Sequence, residues 1–264
     1  MVPSHAPIAR LTASWQGHPF SWFEKGQGEA LVLLHGGGGT GKAWTAQMEE
    51  LSTDYRVIAP DLPGFGQSER IPGIDTVDGL GSVLLQWMTV LGVDRFVVGG
   101  NSMGGRVAMT AASLDPARAR ALVILDSVGV TLPHVPIVNP LTLPAAEFMS
   151  GLVHNPDAYR RKTPYRTLQD AQELNQGRRS FAAYLRSSPI SPGAQLDLAK
   201  LTMPALLIWG RQDQIVPLAY GHALSEALPA AELLVIDACG HLPHIEEPEV
   251  VNHAMRDFFW RNDL

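Results

Sequence analysis

The sequence predicts an α/β fold with a mostly parallel eight-stranded sheet and helices on both faces. Short runs rich in Val, Ile and Leu recur at 31–34, 57–59, 96–98, 122–125, 206–209 and 233–236. Longer segments of helical period separate them, the alternation of βαβ units whose strands are buried on both faces. With 45% hydrophobic and 17% charged residues over 264 positions, the chain can bury one sizeable core.

The first two strands read differently. Segments 11–15 and 20–23 straddle a Gln16-Gly17 turn signal, which predicts an antiparallel hairpin at the start of the sheet. From about Asp75, Leu80, Leu84, Met88 and Leu91 recur at helical spacing and Gly92 follows as a stop, with Gly79 and Gly81 as weak points inside the helix. Near the end of the chain, Val250, Val251, Ala254, Phe258 and Phe259 make an apolar stripe that closes the sheet from one side.

Between these parts, residues 131–195 break the rhythm. They lack a strand-like run and hold 8 of the 20 prolines. This stretch is expected to form a helical lid over a core made of residues 1–130 and 196–264. Seven basic residues oppose four acidic ones in it, a net +3, which leaves −9 for the rest of a chain of net −6.

Composition narrows the function classes. An acidic balance of 26 carboxylates against 20 Lys and Arg gives no basic field for a phosphate backbone, so no nucleic-acid partner is expected. The single cysteine, Cys239, supports neither a disulfide framework nor a thiolate metal site. No apolar run approaches a membrane span and no secretory signal is visible at the N-terminus, so the expectation is a cytoplasmic protein without membrane contact.

The sharpest motif is Val97-Val98-Gly99-Gly100-Asn101-Ser102-Met103-Gly104-Gly105-Arg106, an apolar strand running through G-x-S-x-G into helix formers. Glycines on both sides let the backbone turn tightly and push Ser102 Oγ up beside a helix N-terminus. The plain alternative is a glycine-rich turn with a capping serine. A serine hydroxyl needs a base, and the base an orienting acid. Asp213 follows the strand ending at Trp209-Gly210, and His241 follows the strand ending at Ile236, giving the chain order Ser, Asp, His. Asp126, at the end of the 122–125 strand, is the rival acid. His244 is expected in the loop beyond His241, and His134 and His154 fall in the lid.

An oxyanion needs backbone N–H donors, and Leu34-His35-Gly36-Gly37-Gly38-Gly39 lets a chain approach that closely. Gly37 and Met103 are the expected donors. A phosphate-loop reading of Gly36 to Lys42 fails because Ala43 stands where Ser or Thr would bind magnesium. No cofactor or metal is expected.

Taken together, the His-Gly-Gly-Gly loop, Pro60-Asp61-Leu62-Pro63-Gly64-Phe65-Gly66-Gln67-Ser68, the serine turn, Trp209-Gly210-Arg211-Gln212-Asp213 and Gly240-His241 resemble the α/β-hydrolase superfamily over the whole chain. The resemblance makes 61–68 a structural turn without chemistry. Within the superfamily, Gly100-Asn101-Ser102-Met103-Gly104-Gly105 with the glycine loop and Trp44 is similar to meta-cleavage product hydrolases, which cut a carbon–carbon bond next to a ketone in ring-opened aromatic acids.

That likeness implies that Asn101 helps polarise the substrate and that a lid arginine, Arg178 or Arg179, grips its acidic end. Gly36, Gly38 and Leu242 complete the expected substrate contacts. Leu242 stands where that group usually has Trp, and Gly39 where it usually has Pro; esterases and lactonases share the His-Leu-Pro run. The expectation is therefore a serine hydrolase for a small, carboxylate-bearing carbonyl substrate, with ester and carbon–carbon cleavage both open. A non-catalytic binding module, a lactonase or a cofactor-free oxygenase of the same fold are the alternatives, and a homo-oligomer is left open.

Overall fold

A computed structural model describes residues 2–144, 146–187 and 196–264. Of the stretch expected to form the lid, residues 145 and 188–195 lie outside the described residues.

The chain begins with the hairpin β1 (Ala9–Trp15) and β2 (His18–Lys25), joined by Gln16 and Gly17, both at positive φ. Then follow β3 (Glu29–Leu34), α1 (Thr45–Leu51), β4 (Tyr55–Pro60), α2 (Val77–Val90), β5 (Phe96–Asn101), α3 (Met103–Leu114) and β6 (Ala119–Leu125). Three helices come next, α4 (Phe148–Leu152), α5 (Pro156–Lys162) and α6 (Leu168–Ser187). The chain closes with β7 (Ala205–Gly210), α7 (Ala219–Ala227), β8 (Ala231–Ile236), α8 (Pro243–Glu246) and α9 (Pro248–Arg261).

All eight strands join one sheet in the order β1-β2-β4-β3-β5-β6-β7-β8. β1, β2 and β4 pair antiparallel and the rest parallel. Successive side chains of each strand point to opposite faces. Val32, Leu34, Val98 and Leu207 accordingly enter one apolar core, and Leu31, Leu33, Val97 and Leu206 the other. Each fully buried Val or Leu contributes roughly 1.5–3 kcal/mol.

Local detail explains the sequence signals. Thr76 caps α2 by accepting from the Gly79 N–H at 3.0 Å. Gly81 is tolerated inside α2 because α3 passes so close that a Cβ there would meet Thr110 at 2.7 Å. α9 buries Val251, Met255, Phe258 and Phe259, whereas Val250, expected in the same stripe, is exposed. The strand β3 has β4 on one side and β5 on the other, so the chain leaves the sheet in opposite directions beside the end of β3. In open α/β sheets that point, outside the carboxyl ends of the strands, is where a crevice forms.

Candidate active site

The crevice holds a cavity of about 1010 Å³. Its wall takes the loop after β3, the turn between β5 and α3, the loop after β8 and the helices between β6 and β7. Most of the lining is apolar, with Ile137, Leu141, Phe148, Leu174 and Phe181 among it.

Ser102 sits in the β5–α3 turn at φ 54° and ψ −117°, a conformation L residues avoid. Its neighbours permit the turn only as glycines. A Cβ on Gly100 would lie 2.4 Å from the Gly104 carbonyl carbon, and one on Gly104 would lie 2.3 Å from the Leu34 carbonyl oxygen. The strained backbone is held by Ser102 N–H donating to Leu125 O at 2.9 Å and by Ser127 Oγ donating to Ser102 O at 2.6 Å. Met103 opens α3, so its N–H is one of the first-turn donors that the helix itself leaves unused.

His241 lines the same cavity as Ser102. Its Nδ1 lies 2.8 Å from Asp213 Oδ2, and because a carboxylate only accepts, Nδ1 carries the hydrogen and Nε2 is left with a lone pair. Asp213 Oδ1 accepts from the N–H groups of Ile215 and Val216 at 2.8 and 3.1 Å, which fixes the carboxylate while it faces the imidazole.

Asp126 is not excluded from this group; it is packed into it. Ligand atoms of Asp126, Asp213 and His241 all fall within 4.8 Å of one another. Asp126 Oδ1 accepts from Gly210 N–H at 2.9 Å, while Oδ2 is buried without a partner. Complete burial, and then the charge of Asp213, push the Asp126 carboxyl well above the usual carboxylate range. Asp213 accepts from three donors, whereas Asp126 accepts from one and is pushed by its burial towards the neutral form. This trio is the one candidate metal-ligand group among the described residues, and within it His241 Nδ1 is hydrogen-bonded to Asp213 Oδ2.

The glycine loop is set by His35, a residue to which the sequence reading gave no separate role. Its Nδ1 bonds the Gly36 carbonyl at 2.8 Å and its Nε2 accepts from Leu62 N–H at 3.1 Å, with burial pushing its basicity down. The helix α6 lies directly over this loop. A Cβ on Gly37 would meet the Phe181 ring at 2.6 Å, and one on Gly177 would meet Gly38 O at 2.9 Å.

Of the residues expected to contact substrate, Gly36, Gly38, Asn101, Arg178 and Leu242 line the cavity together with Gly37 and Met103. Arg179 does not; both arginines are exposed, and of the two Arg178 alone borders the cavity. Arg178 lies with its guanidinium 4.6 Å from the centre of the Phe148 ring. Asn101 spends its amide N–H groups on the backbone carbonyls of His241 (2.9 Å) and Leu125 (3.3 Å), leaving Oδ1 buried without a partner. His244 is not in a loop. It belongs to α8, stacks on Trp44 at 4.3 Å and lines the cavity, and burial pushes its imidazole down to about 3. His134 and His154 are exposed and contribute no lining. Cys239 is buried and its thiol is pushed up, so it offers no thiolate nucleophile.

Residues 31–254 match the family described as the alpha/beta hydrolase family. The chain belongs to it. A 2-hydroxy-6-oxo-6-phenylhexa-2,4-dienoate hydrolase of Burkholderia cepacia is 29% identical over 258 residues, covering 89% of both chains. A 2-hydroxy-6-oxononadienedioate/2-hydroxy-6-oxononatrienedioate hydrolase of Paraburkholderia phymatum is 31% identical over 252 residues, covering 87% of this chain and 86% of that one. Among solved structures, a thermophilic esterase from Thermogutta terrifontis with malate bound superposes with a TM-score of 0.77 at 28% identity, covering 97% of this chain and 99% of that one. The protein is a hydrolase of the alpha/beta fold, and its relatives include carbon–carbon hydrolases. Among the described residues, no helix of this hydrolase is long and apolar enough to cross a membrane.

Proposed function

We propose that this hydrolase works by acyl transfer through Ser102, His241 and Asp213 on a carbonyl substrate that bears a carboxylate, with residues 131–195 acting as its lid. The observation that carries the reading is the 2.8 Å bond between His241 and Asp213, in a cavity whose wall also holds Ser102 on its strained turn. His241 Nε2 takes the Ser102 proton as Oγ attacks the carbonyl carbon, and returns it to the leaving group. The N–H groups of Gly37 and Met103 stabilise the tetrahedral oxyanion. Water, activated by the same histidine, then releases the acid and regenerates Ser102.

Arg178 supports the choice of an acidic substrate. It is a lining cation, with Gly38 at its root and Phe148 under its guanidinium, and a guanidinium grips a carboxylate through two parallel hydrogen bonds. The two relatives named above act, by their names, on 2-hydroxy-6-oxo acids, which makes a ring-cleavage acid the first substrate class. One observation favours an ester instead. Asn101 has both N–H groups engaged with backbone carbonyls, so it has none to offer a substrate ketone.

The test compares kcat/KM for a 2-hydroxy-6-oxo-dienoate, a carboxylate-bearing ester and a neutral ester of similar size, in the wild type, Ser102→Ala and Arg178→Ala. The reading expects Ser102→Ala to abolish turnover. It also expects Arg178→Ala to cost the acids roughly ten- to a hundredfold and the neutral ester little. Equal turnover of acid and neutral ester, unchanged by Arg178→Ala, would leave a general esterase with an apolar pocket.

A further inference from the structure

Glu246 is buried beside the loop that carries His241, and no step of the chemistry above uses it. Its carboxylate joins two segments that are far apart in sequence. Oε1 accepts from the N–H groups of Gly240 and Leu242 at 3.0 and 3.4 Å, the residues on either side of His241. Oε2 accepts from the His154 N–H at 2.7 Å, between α4 and α5. No Lys or Arg among the described residues forms an ion pair with this carboxylate, so backbone N–H groups are its compensation for burial.

The two backbones also touch directly. His241 N–H donates to Leu152 O at 2.8 Å, and a Cβ on Gly240 would lie 2.7 Å from His154 N. From outside, Lys162 Nζ at the end of α5 donates to the Glu246 backbone carbonyl at 2.6 Å. The segment 152–154 and the histidine loop are thus bonded through one shared carboxylate and one shared backbone hydrogen bond.

We propose that Glu246 is a positioning residue that fastens the His241 loop to segment 152–154, so that the imidazole is held in place only while that segment is seated. The inference rests on the reading of His241 as the base. A glutamine at 246 has the same shape but only one acceptor oxygen. Its NH₂ group must oppose either the Gly240 and Leu242 N–H groups or that of His154, and one side of the link opens. Placing proline at 154 removes the His154 donor and sets a ring carbon against Oε2 and Gly240, so the link is broken from the other side with the Glu246 side chain itself unchanged.

The experiment measures the second-order rate at which a small alkyl fluorophosphonate labels the serine, in the wild type, His241→Ala, Glu246→Gln and His154→Pro, each well below its melting temperature. A small probe needs no distant substrate contact, so its rate reports whether the base is in place rather than how tightly a substrate binds or how stable the fold is. Glu246→Gln should label roughly ten- to a hundredfold more slowly than wild type, the effect of losing charge-assisted hydrogen bonds. His154→Pro should also label more slowly, although residue 154 lines no part of the cavity, and it carries the test alone if Glu246→Gln does not fold. Wild-type labelling rates in a folded Glu246→Gln or in His154→Pro, with only the melting temperature lowered, would overturn the proposal and leave the triad reading intact. A wild type that is not labelled, or a His241→Ala protein labelled as fast, would overturn the triad reading and this inference with it.

Discussion

The side-chain amide of Asn101 donates to the backbone carbonyl of His241 at 2.9 Å, joining the residue before Ser102 to the loop that carries His241. Ser102 and His241 are therefore referenced to each other through one short side chain. Asn101→Ala should lower kcat about tenfold, the worth of one buried hydrogen bond, with KM little changed. Steady-state kinetics check this; a rise in KM at constant kcat would make Asn101 a substrate contact instead.

The two neighbouring aspartates should respond in opposite ways to the same substitution. Asp213 is the hydrogen-bond partner of His241, and Asp213→Asn should reduce kcat by about 10⁴, the scale seen when an orienting acid is replaced. Asp126 accepts from Gly210 N–H rather than from His241, and burial pushes its carboxyl towards the neutral form, so Asp126→Asn, of the same shape, should stay within about tenfold of wild type. Kinetics of the two variants, beside melting temperatures that show both are folded, decide the assignment. The reverse pattern would exchange the roles of the two acids.

In the glycine loop, Gly37→Val places branched carbon where the Phe181 ring already stands 2.6 Å from a Cβ position. Either the ring or the loop must move, and the Gly37 N–H moves with the loop. Loss of one oxyanion donor typically removes about 10²–10³ in kcat. Activity within about threefold of wild type would point to a different donor.

Burial of His244 makes a prediction about acid stability. The folded protein keeps this imidazole neutral down to about 3, whereas the unfolded chain binds a proton near the ordinary value of 6.5. Between those values the unfolded state holds more protons, so stability falls as pH is lowered through that window, by about 1.4 kcal/mol per pH unit for one group. His244→Phe keeps a ring against Trp44 and removes the proton site. Its melting temperature should drop less than that of wild type between pH 7 and pH 5, as followed by circular dichroism.

How much of this was legible in the sequence depended on how local each signal is. The serine turn, with Gly100 and Gly104 packed against backbone, is written in six consecutive residues, and Asp213 and His241 announce themselves by following β7 and β8. Which arginine faces the cavity depends instead on the rotation of α6. That rotation is set by Gly177 seated on Gly38 and Phe181 on Gly37, contacts about 140 residues apart in the chain, so that of two exposed arginines Arg178 borders the cavity and Arg179 does not. The same holds for His244, carried into the cavity by a helix of four residues too short for any periodicity, and for Val250, turned outward by the register of α9. Asp126 looked like a rival of Asp213 because both follow strand ends. Only the packing of β6 beside β7 shows that they are neighbours, with His241 bonded to Asp213.

The central claim is that Ser102 is the activated nucleophile, and mass spectrometry of fluorophosphonate-treated protein tests it most directly. The account predicts one adduct per chain, mapped to the peptide that contains Ser102 and missing from Ser102→Ala. A folded wild type that takes no label, or a label that maps elsewhere and persists in Ser102→Ala, would contradict it.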